Sequence, residues 1–326
     1  MTRAAWLRHP GGVTTVDAAY VRSGFASVHV LERAGRAVLI DSGTNQSVPL
    51  VLSALADLGL TPEAVDWLFL THVHLDHAGG AGQLLACLPR ARVLVHPRGA
   101  PHLIDPTRLE AATIAVYGEA AYRKLYGALA AIPADRVQST KDGQRVRLGE
   151  GELTILHTPG HALHHQILFD PEAGAVFTGD TFGLSYRELD TAAGPFIVPT
   201  TTPTQFDPAQ LLQSVQRIVE LEPEAAYLTH FGRVTGVARL GTALRNQIER
   251  FVELARADAF PDQPGDATAQ QSRLRAALRD DLVGRAAAHG LPDPAATVER
   301  VLGPDLDLNA QGLMAWLERV QKRAPG

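Results

Sequence analysis

Thr71-His72-Val73-His74-Leu75-Asp76-His77-Ala78-Gly79-Gly80 places three imidazoles and one carboxylate within six positions. The residues before it, Val65-Asp66-Trp67-Leu68-Phe69-Leu70, are rich in β-branched and aromatic side chains and read as a buried strand. On extended backbone, side chains two apart project to the same side, so His72 and His74 can grip one ion together. Asp76 and His77 follow where the chain begins to turn and can face a second ion close by. Imidazole nitrogen and carboxylate oxygen are the donors that borderline divalent metals take. A solvated histidine cluster needs no apolar strand behind it, so the stretch reads as a metal motif at a strand end.

Outward from the motif, short strands alternate with helices. Residues 14–18, 27–32 and 37–40 are β-type runs separated by Gly-containing turns, and Asp41-Ser42-Gly43 closes the third. Residues 48–58 carry apolar side chains at helical spacing and stop at Gly59. A second helix is expected around 83–88, then strands at 92–96, 153–158, 166–170, 175–178 and 225–229. Such alternation implies layers of both kinds around a core. Residues 97–133 interrupt the rhythm with a turn-rich entry and a helix over 109–131 carrying Tyr117, Tyr122 and Tyr126. Those tyrosines suit either a substrate entrance or an ordinary packed helix face. Residues 194–208, rich in Thr and Pro, read as an irregular loop. Beyond 241 the chain turns helical: 244–259, a linker-like break at Pro261 to Gly265, then 272–289, 294–302 and 309–323. The expected division is a metal-binding body over 1–240, with a helical insertion at 97–133, and a helical C-terminal region over 241–326. That region serves as a lid or as a homodimer face, with Val301, Leu302, Leu313, Met314, Trp316 and Leu317 as its core or interface.

Composition narrows the function classes. The chain has 326 residues, 45% of them apolar, enough for a sizeable core. Its net charge of -5 and the lack of any dense Lys/Arg run argue against a nucleic-acid-backbone binder and leave a small molecule as the expected partner. A single cysteine, Cys87, excludes an internal disulfide and reads as a small buried residue on a helix face. Residues 1–10 lack the apolar segment of a signal peptide. No stretch approaches the roughly 20 apolar residues of a membrane span. A cytoplasmic protein without membrane contact is expected.

Two ions need about four ligands each, more than one motif supplies. His161, Asp180 and His230 each follow an expected strand, and Pro159-Gly160 can force the turn that aims His161 back over a sheet edge.

The ordered set His-x-His-x-Asp-His (72–77), Thr-Pro-Gly-His (158–161), Gly-Asp (179–180) and Thr-His (229–230) resembles the metallo-β-lactamase superfamily. The resemblance implies an α/β (α+β) protein, an αββα sandwich with the metals at one edge between two sheets. It implies His72, His74 and His161 on one ion, Asp76, His77 and His230 on the other, and Asp180 bridging. Asp41-Ser42-Gly43 is similar to an element that supports that site from behind. Leu75 fills a position that is acidic in the flavodiiron branch, which disfavours redox chemistry. The Pro-Gly-His-x-x-Gly-His of glyoxalase II reads here Pro159-Gly160-His161-Ala162-Leu163-His164-His165, and Phe182-Gly183 replaces its usual Leu-Phe. Both departures disfavour a glutathione thioester. His165 is expected to orient a ligand through a hydrogen bond. His164 has no assigned role, and His102 and His157 read as structural.

Two divalent ions about 3.5–4 Å apart hold a bridging water as hydroxide near neutral pH. The expected activity is hydrolysis of an ester-type bond (lactone, ester or thioester), with a lean to lactone or ester. Asp76 and Asp180 are its catalytic carboxylates. Asp76 passes a proton to the leaving group, and Tyr186 is a candidate donor to the oxyanion. Alternatives on the same body are a phosphodiesterase, for which Arg187 and Arg233 are the nearest cations, an iron-dependent sulfur dioxygenase, and a metal-loaded binding protein without turnover. Zinc is the expected metal, though iron and manganese suit the same donors.

Overall fold

In the strand Arg36–Ile40, Val38 and Ile40 enter one apolar cluster while Ala37 and Leu39 enter another, and all four are fully buried. A strand covered on both faces reads as an unbroken apolar run rather than an alternation.

A computed structural model of the chain describes residues 6–201, 205–258 and 267–323. The elements run β1 (Trp6–Arg8), β2 (Val13–Asp17), β3 (Ser27–Arg33), β4 (Arg36–Ile40), α1 (Val48–Asp57), β5 (Val65–Phe69), α2 (Leu75–Ala78), α3 (Ala81–Cys87) and β6 (Arg92–Val95). Next come α4 (Ala100–Ile104), α5 (Thr107–Tyr117), α6 (Glu119–Leu125), β7 (Val137–Ser139), β8 (Gln144–Leu148), β9 (Gly151–His157), β10 (Gln166–Asp170) and β11 (Ala175–Gly179). The chain closes with α7 (Pro208–Glu220), β12 (Ala225–Leu228), β13 (Gly232–Thr235), α8 (Val237–Asp258), α9 (Ala267–Ala288) and α10 (Pro294–Arg323).

The fold is the expected α/β sandwich with a helical C-terminal region, and it falls into two compact units. The first draws on Met1–His157, His164–Gly179 and Glu222–Thr235. It holds both mixed sheets, ordered β1-β2-β3-β4-β5-β6-β7 and β13-β12-β11-β10-β9-β8. Between them lie Leu31, Val38, Ile40, Phe69 and Leu94 from one sheet and Leu153, Ile155, Leu168, Phe177 and Tyr227 from the other. On its other face the first sheet packs Leu39, Leu68 and Val93 against Val51 and Leu55 of α1 and Leu84 and Leu85 of α3. Strands β4, β5 and β6 are parallel, as are β11 and β12, so each group delivers its following loops to one edge.

The second unit draws on Thr158–Leu163, Asp180–Leu221 and Gly236–Gly326. Its helices are α7 to α10. In α9, Leu274, Leu278, Leu282 and Ala286 recur every fourth residue and are buried, and α9 packs on α10. Arg275 bridges Glu299 and Asp307 at 2.6 Å each across that pair.

Several elements differ from the sequence expectation. Residues 294–323 form one helix, not two, with Pro304 inside it. Proline removes a single i→i−4 bond, and the apolar stripe Val298, Val301, Leu302, Leu306, Leu313 continues across it. The expected helix over 109–131 breaks at Gly118, whose φ is +80°, and ends at Leu125. Helix α7 was not anticipated. Its N-cap Asp207 accepts from Gln210 N–H at 3.0 Å and Pro208 occupies the first turn, which is a start signal. Cys87 is exposed at the end of α3, because Leu84 and Leu85 supply the buried face. The break at Pro261 to Gly265 lies outside the described residues. No helix among the described residues is long and apolar enough to cross a membrane.

His29 of β3 is a buried polar group with a measurable consequence. Its Nδ1 lies 3.1 Å from Thr15 Oγ1 and its Nε2 3.2 Å from the Leu228 carbonyl. Burial, outweighing the Leu228 hydrogen bond, brings its pKa down from 6.5 to about 3. Between those values the unfolded chain binds a proton that the folded chain refuses, so stability is full at neutral pH and falls as pH drops from 6.5 toward 3. Each unit is worth roughly 1.4 kcal/mol. Urea unfolding of His29→Gln should show a shallower loss of stability between pH 7 and 4 than the parent; an identical slope contradicts the assignment.

Candidate metal centre

Strand β5 ends beside Asp41, whose N–H donates to the Phe69 carbonyl at 2.8 Å. Asp41 has a φ of +62°, a left-handed conformation that aspartate tolerates better than most side chains. Its carboxylate is 1% exposed and accepts four hydrogen-bonding groups. They are Thr71 N–H at 2.8 Å, Thr71 Oγ1 at 2.9 Å, Thr229 Oγ1 at 3.0 Å and His77 Nδ1 at 2.8 Å. Because the carboxylate only accepts, His77 carries its proton on Nδ1 and turns the Nε2 lone pair toward Asp76, 3.8 Å from Oδ2. Ser42 N and Oγ bond the His77 carbonyl at 2.7 and 2.8 Å, which locks α2 against the Asp41 turn.

His230 follows β12 and is set in the same way. Its Nδ1–H donates to the Phe25 carbonyl at 2.8 Å, leaving Nε2 3.3 Å from Asp76 Oδ2. One ligand atom from each of Asp76, His77 and His230 lies within 4.8 Å of the others. Two imidazole nitrogens with fixed tautomers and one carboxylate oxygen form a donor set that fits a borderline divalent cation.

His72 and His74 lie together in this unit, with Nε2 of the first 2.8 Å from Nδ1 of the second. His165, fully buried, stacks on His72 at 4.9 Å between ring centroids. A Cβ on Gly179, where φ is +49°, would come within 2.7 Å of His165 Nε2 and of Thr71 Cβ, so only glycine lets β11 end here. His164, without a role in the sequence reading, accepts from Val73 N–H through Nδ1 at 3.4 Å and meets His74 edge-on at 5.8 Å. His157 pairs with Thr140 Oγ1 at 3.2 Å and sits 4.2 Å from the His96 ring. His102 lies on α4.

In the second unit, His161 and Asp180 are brought together, with His161 Nε2 3.4 Å from Asp180 Oδ2. Gly160 makes that turn possible, since a Cβ there would fall 2.2 Å from the Leu211 backbone nitrogen of α7. Thr200 Oγ1 lies 2.7 Å from His161 Nδ1 and the Thr200 carbonyl 3.3 Å from it, so Nε2 is the ring atom turned to Asp180. Tyr186 is fully buried, and its hydroxyl donates to Asp305 Oδ1 at 3.2 Å. Arg187 bonds Ser185 Oγ at 2.7 Å and pairs with Asp190 at 3.3 Å. Thr71, Thr229, Thr200 and the Phe25 carbonyl escaped the sequence reading. Thr71 and Thr229 each directly precede an expected ligand, the one signal the sequence offered for them, whereas Thr200 and the Phe25 carbonyl carried none.

These donors, ordered along the chain at the ends of sandwich strands, define a class of metal-binding proteins. The family profile described as metallo-beta-lactamase superfamily matches residues 21–230, and the chain belongs to that superfamily. It is 29% identical over 215 residues to the metallo-beta-lactamase fold-containing protein ST1585 of Sulfurisphaera tokodaii, covering 64% of this chain and 74% of that protein. It is 32% identical over 191 residues to a hydroxyacylglutathione hydrolase of Xanthomonas euvesicatoria, covering 58% of this chain and 54% of the relative. This chain thus spans less than two thirds of that hydrolase's own length. Among solved structures, the metallo-beta-lactamase family protein TTHA1429 of Thermus thermophilus superposes with a TM-score of 0.66 at 20% identity, over 97% of this chain and 96% of that one. That likeness concerns the fold alone.

Proposed function

We propose that the protein is a dinuclear metal-dependent hydrolase of an ester-type bond in a small molecule. The observation that carries this reading is the Asp76–His77–His230 cluster, with both imidazoles fixed in the ligating tautomer by Asp41 and the Phe25 carbonyl. We assign His72, His74 and His161 to one ion, Asp76, His77 and His230 to the other, and Asp180 to both, following the motif order of the family. When bound, such a pair of cations supplies a water ionised near neutral pH and polarises the scissile carbonyl.

The protein's own groups do the rest. Asp41 and Thr71 hold His77, Phe25 holds His230, and Thr200 holds His161, so these three rings are oriented in advance of binding. Asp76, with 21% of its side chain exposed, is the carboxylate assigned to pass a proton to the leaving oxygen or sulfur. The ester-type bond is favoured over a phosphodiester because Arg187, the cation just past Asp180, is held by Ser185 and Asp190. Within the carbonyl class, relatives named hydroxyacylglutathione hydrolase support a thioester. His164 and Phe182-Gly183, which depart from that pattern, support a lactone or simple ester.

Metal analysis joined to a substrate panel tests the proposal. About two ions per chain are expected. Turnover is expected of p-nitrophenyl esters, lactones or thioesters, with little of bis-p-nitrophenyl phosphate. Two ions bound with no carbonyl substrate cleaved would reject the activity, and iron near one equivalent with oxygen uptake on a persulfide would replace it.

A further inference from the structure

Thr200, the residue that orients His161, is gripped on both sides by one carboxamide from α10. Asn309 Oδ1 accepts from Thr201 N–H at 2.7 Å and from Thr201 Oγ1 at 3.0 Å, while Asn309 Nδ2 donates to the Pro199 carbonyl at 3.1 Å. Thr201 Oγ1 also lies 3.0 Å from the Asn309 backbone carbonyl. Asn309 is 2% exposed and Thr201 is fully buried. The same segment is tied further back: Val198 and Leu184 exchange both backbone hydrogen bonds at 2.9 Å, and Gln247 of α8 donates to the Ile197 carbonyl at 2.8 Å.

We infer that Asn309 is a positioning residue for the metal ligand His161, acting through Thr200, so the C-terminal helix forms part of the site's machinery. This rests on the reading of His161 as a ligand. Asparagine is a mediocre helix former, and here it interrupts the buried stripe Leu306, Ala310, Leu313. A polar residue that breaks a helix's apolar pattern marks a place where some other requirement prevails. That requirement is chemical: Pro199 offers an acceptor and Thr201 two donors, and only a carboxamide of this length answers both. Leucine would answer neither, and an ionised aspartate would oppose the Pro199 carbonyl. With its partners satisfied and buried, the clamp fixes the Thr200 carbonyl and hydroxyl, and through them the direction of His161 Nε2.

The test is a zinc titration of the metal-stripped full-length chain against a chromophoric chelator, which resolves two binding steps. Asn309→Leu should weaken one step about 10–100-fold, the usual cost of losing a group that orients a ligand, and leave the other unchanged. Thr200→Val should weaken the same step. The double variant should lose less than the sum, because both act through one contact. Asn309→Ser serves if the leucine variant fails to fold. Two unchanged steps, or two steps weakened alike as in a general loosening, would overturn the inference. His161→Ala with both steps intact would instead reject His161 as a ligand, whatever the Asn309 variants do.

Discussion

Asp76→Ala is expected to remove one of the two ions proposed for the site and to lower kcat/KM for the best ester substrate by about 1,000-fold or more. A positioned proton-transfer group alone is worth about 100- to 10,000-fold. Asp76 is here also the carboxylate that both His77 Nε2 and His230 Nε2 face, at 3.8 and 3.3 Å. The substitution is mild for the fold, because Asp76 sits on the first turn of α2 with part of its side chain in solvent and no place in the apolar core. Near-neutral change in thermal stability is therefore expected alongside the loss of activity. Asp76→Asn separates the two roles: its carbonyl oxygen can still face the cation, whereas it holds no transferable carboxyl proton. That variant should keep more metal than the alanine variant and lose almost as much turnover. Turnover within about threefold of the parent, with two ions retained in both variants, would remove Asp76 from the mechanism.

How far the fold was legible depended on how strongly each segment carried its own signal. Strands β4, β5, β10 and β11 are short, mostly apolar and largely buried, and the sequence reading places them within a residue or two. Strands β1, β7, β8 and β13 were missed. They are short, and several of their residues are exposed polar or charged ones such as Arg8, Arg145 and Arg147, whose pattern alone suggests loop. Helix α7 is masked in sequence because Pro208, the end of the Thr- and Pro-rich stretch, is also the residue that opens the helix.

The metal motifs were legible for a different reason. The dense His/Asp run at 72–77 stands out by residue type, whereas the grouping of Asp76 and His77 with the distant His230 came only from the family resemblance; the structure brings one ligand atom of each within 4.8 Å of the others. What orients them was not legible. The Phe25 carbonyl is a backbone atom with no sequence signature, and Thr200 and Asn309 become partners only through the tertiary path of α10. Asp41 stands between these cases, visible as a turn residue and assigned to the site's support only through family resemblance.

Asp41 is also where a single-atom change should have the largest effect on stability and metal binding together. Asp41→Ala leaves Thr71 N–H, Thr71 Oγ1, Thr229 Oγ1 and His77 Nδ1–H without their acceptor in a site closed to solvent. Breaking a buried charged contact of this kind costs about 3–5 kcal/mol. Asp41→Asn is the more informative variant. Its Oδ1 can still accept from Thr71, but the new NH2 faces the side where His77 Nδ1 and Thr229 Oγ1 both donate. Two donors cannot share one hydrogen bond, so His77 is driven to carry its proton on Nε2, the atom needed for coordination. The closest mechanistic parallel is a catalytic histidine held in the wrong tautomer when its partner aspartate becomes asparagine. Zinc affinity at the Asp76–His77–His230 step should fall about 10–100-fold, while the unfolding midpoint falls less than in the alanine variant. Competition titration and urea unfolding, measured on both variants, separate the outcomes. If the asparagine variant binds zinc like the parent, Asp41 holds the fold without setting the tautomer of His77.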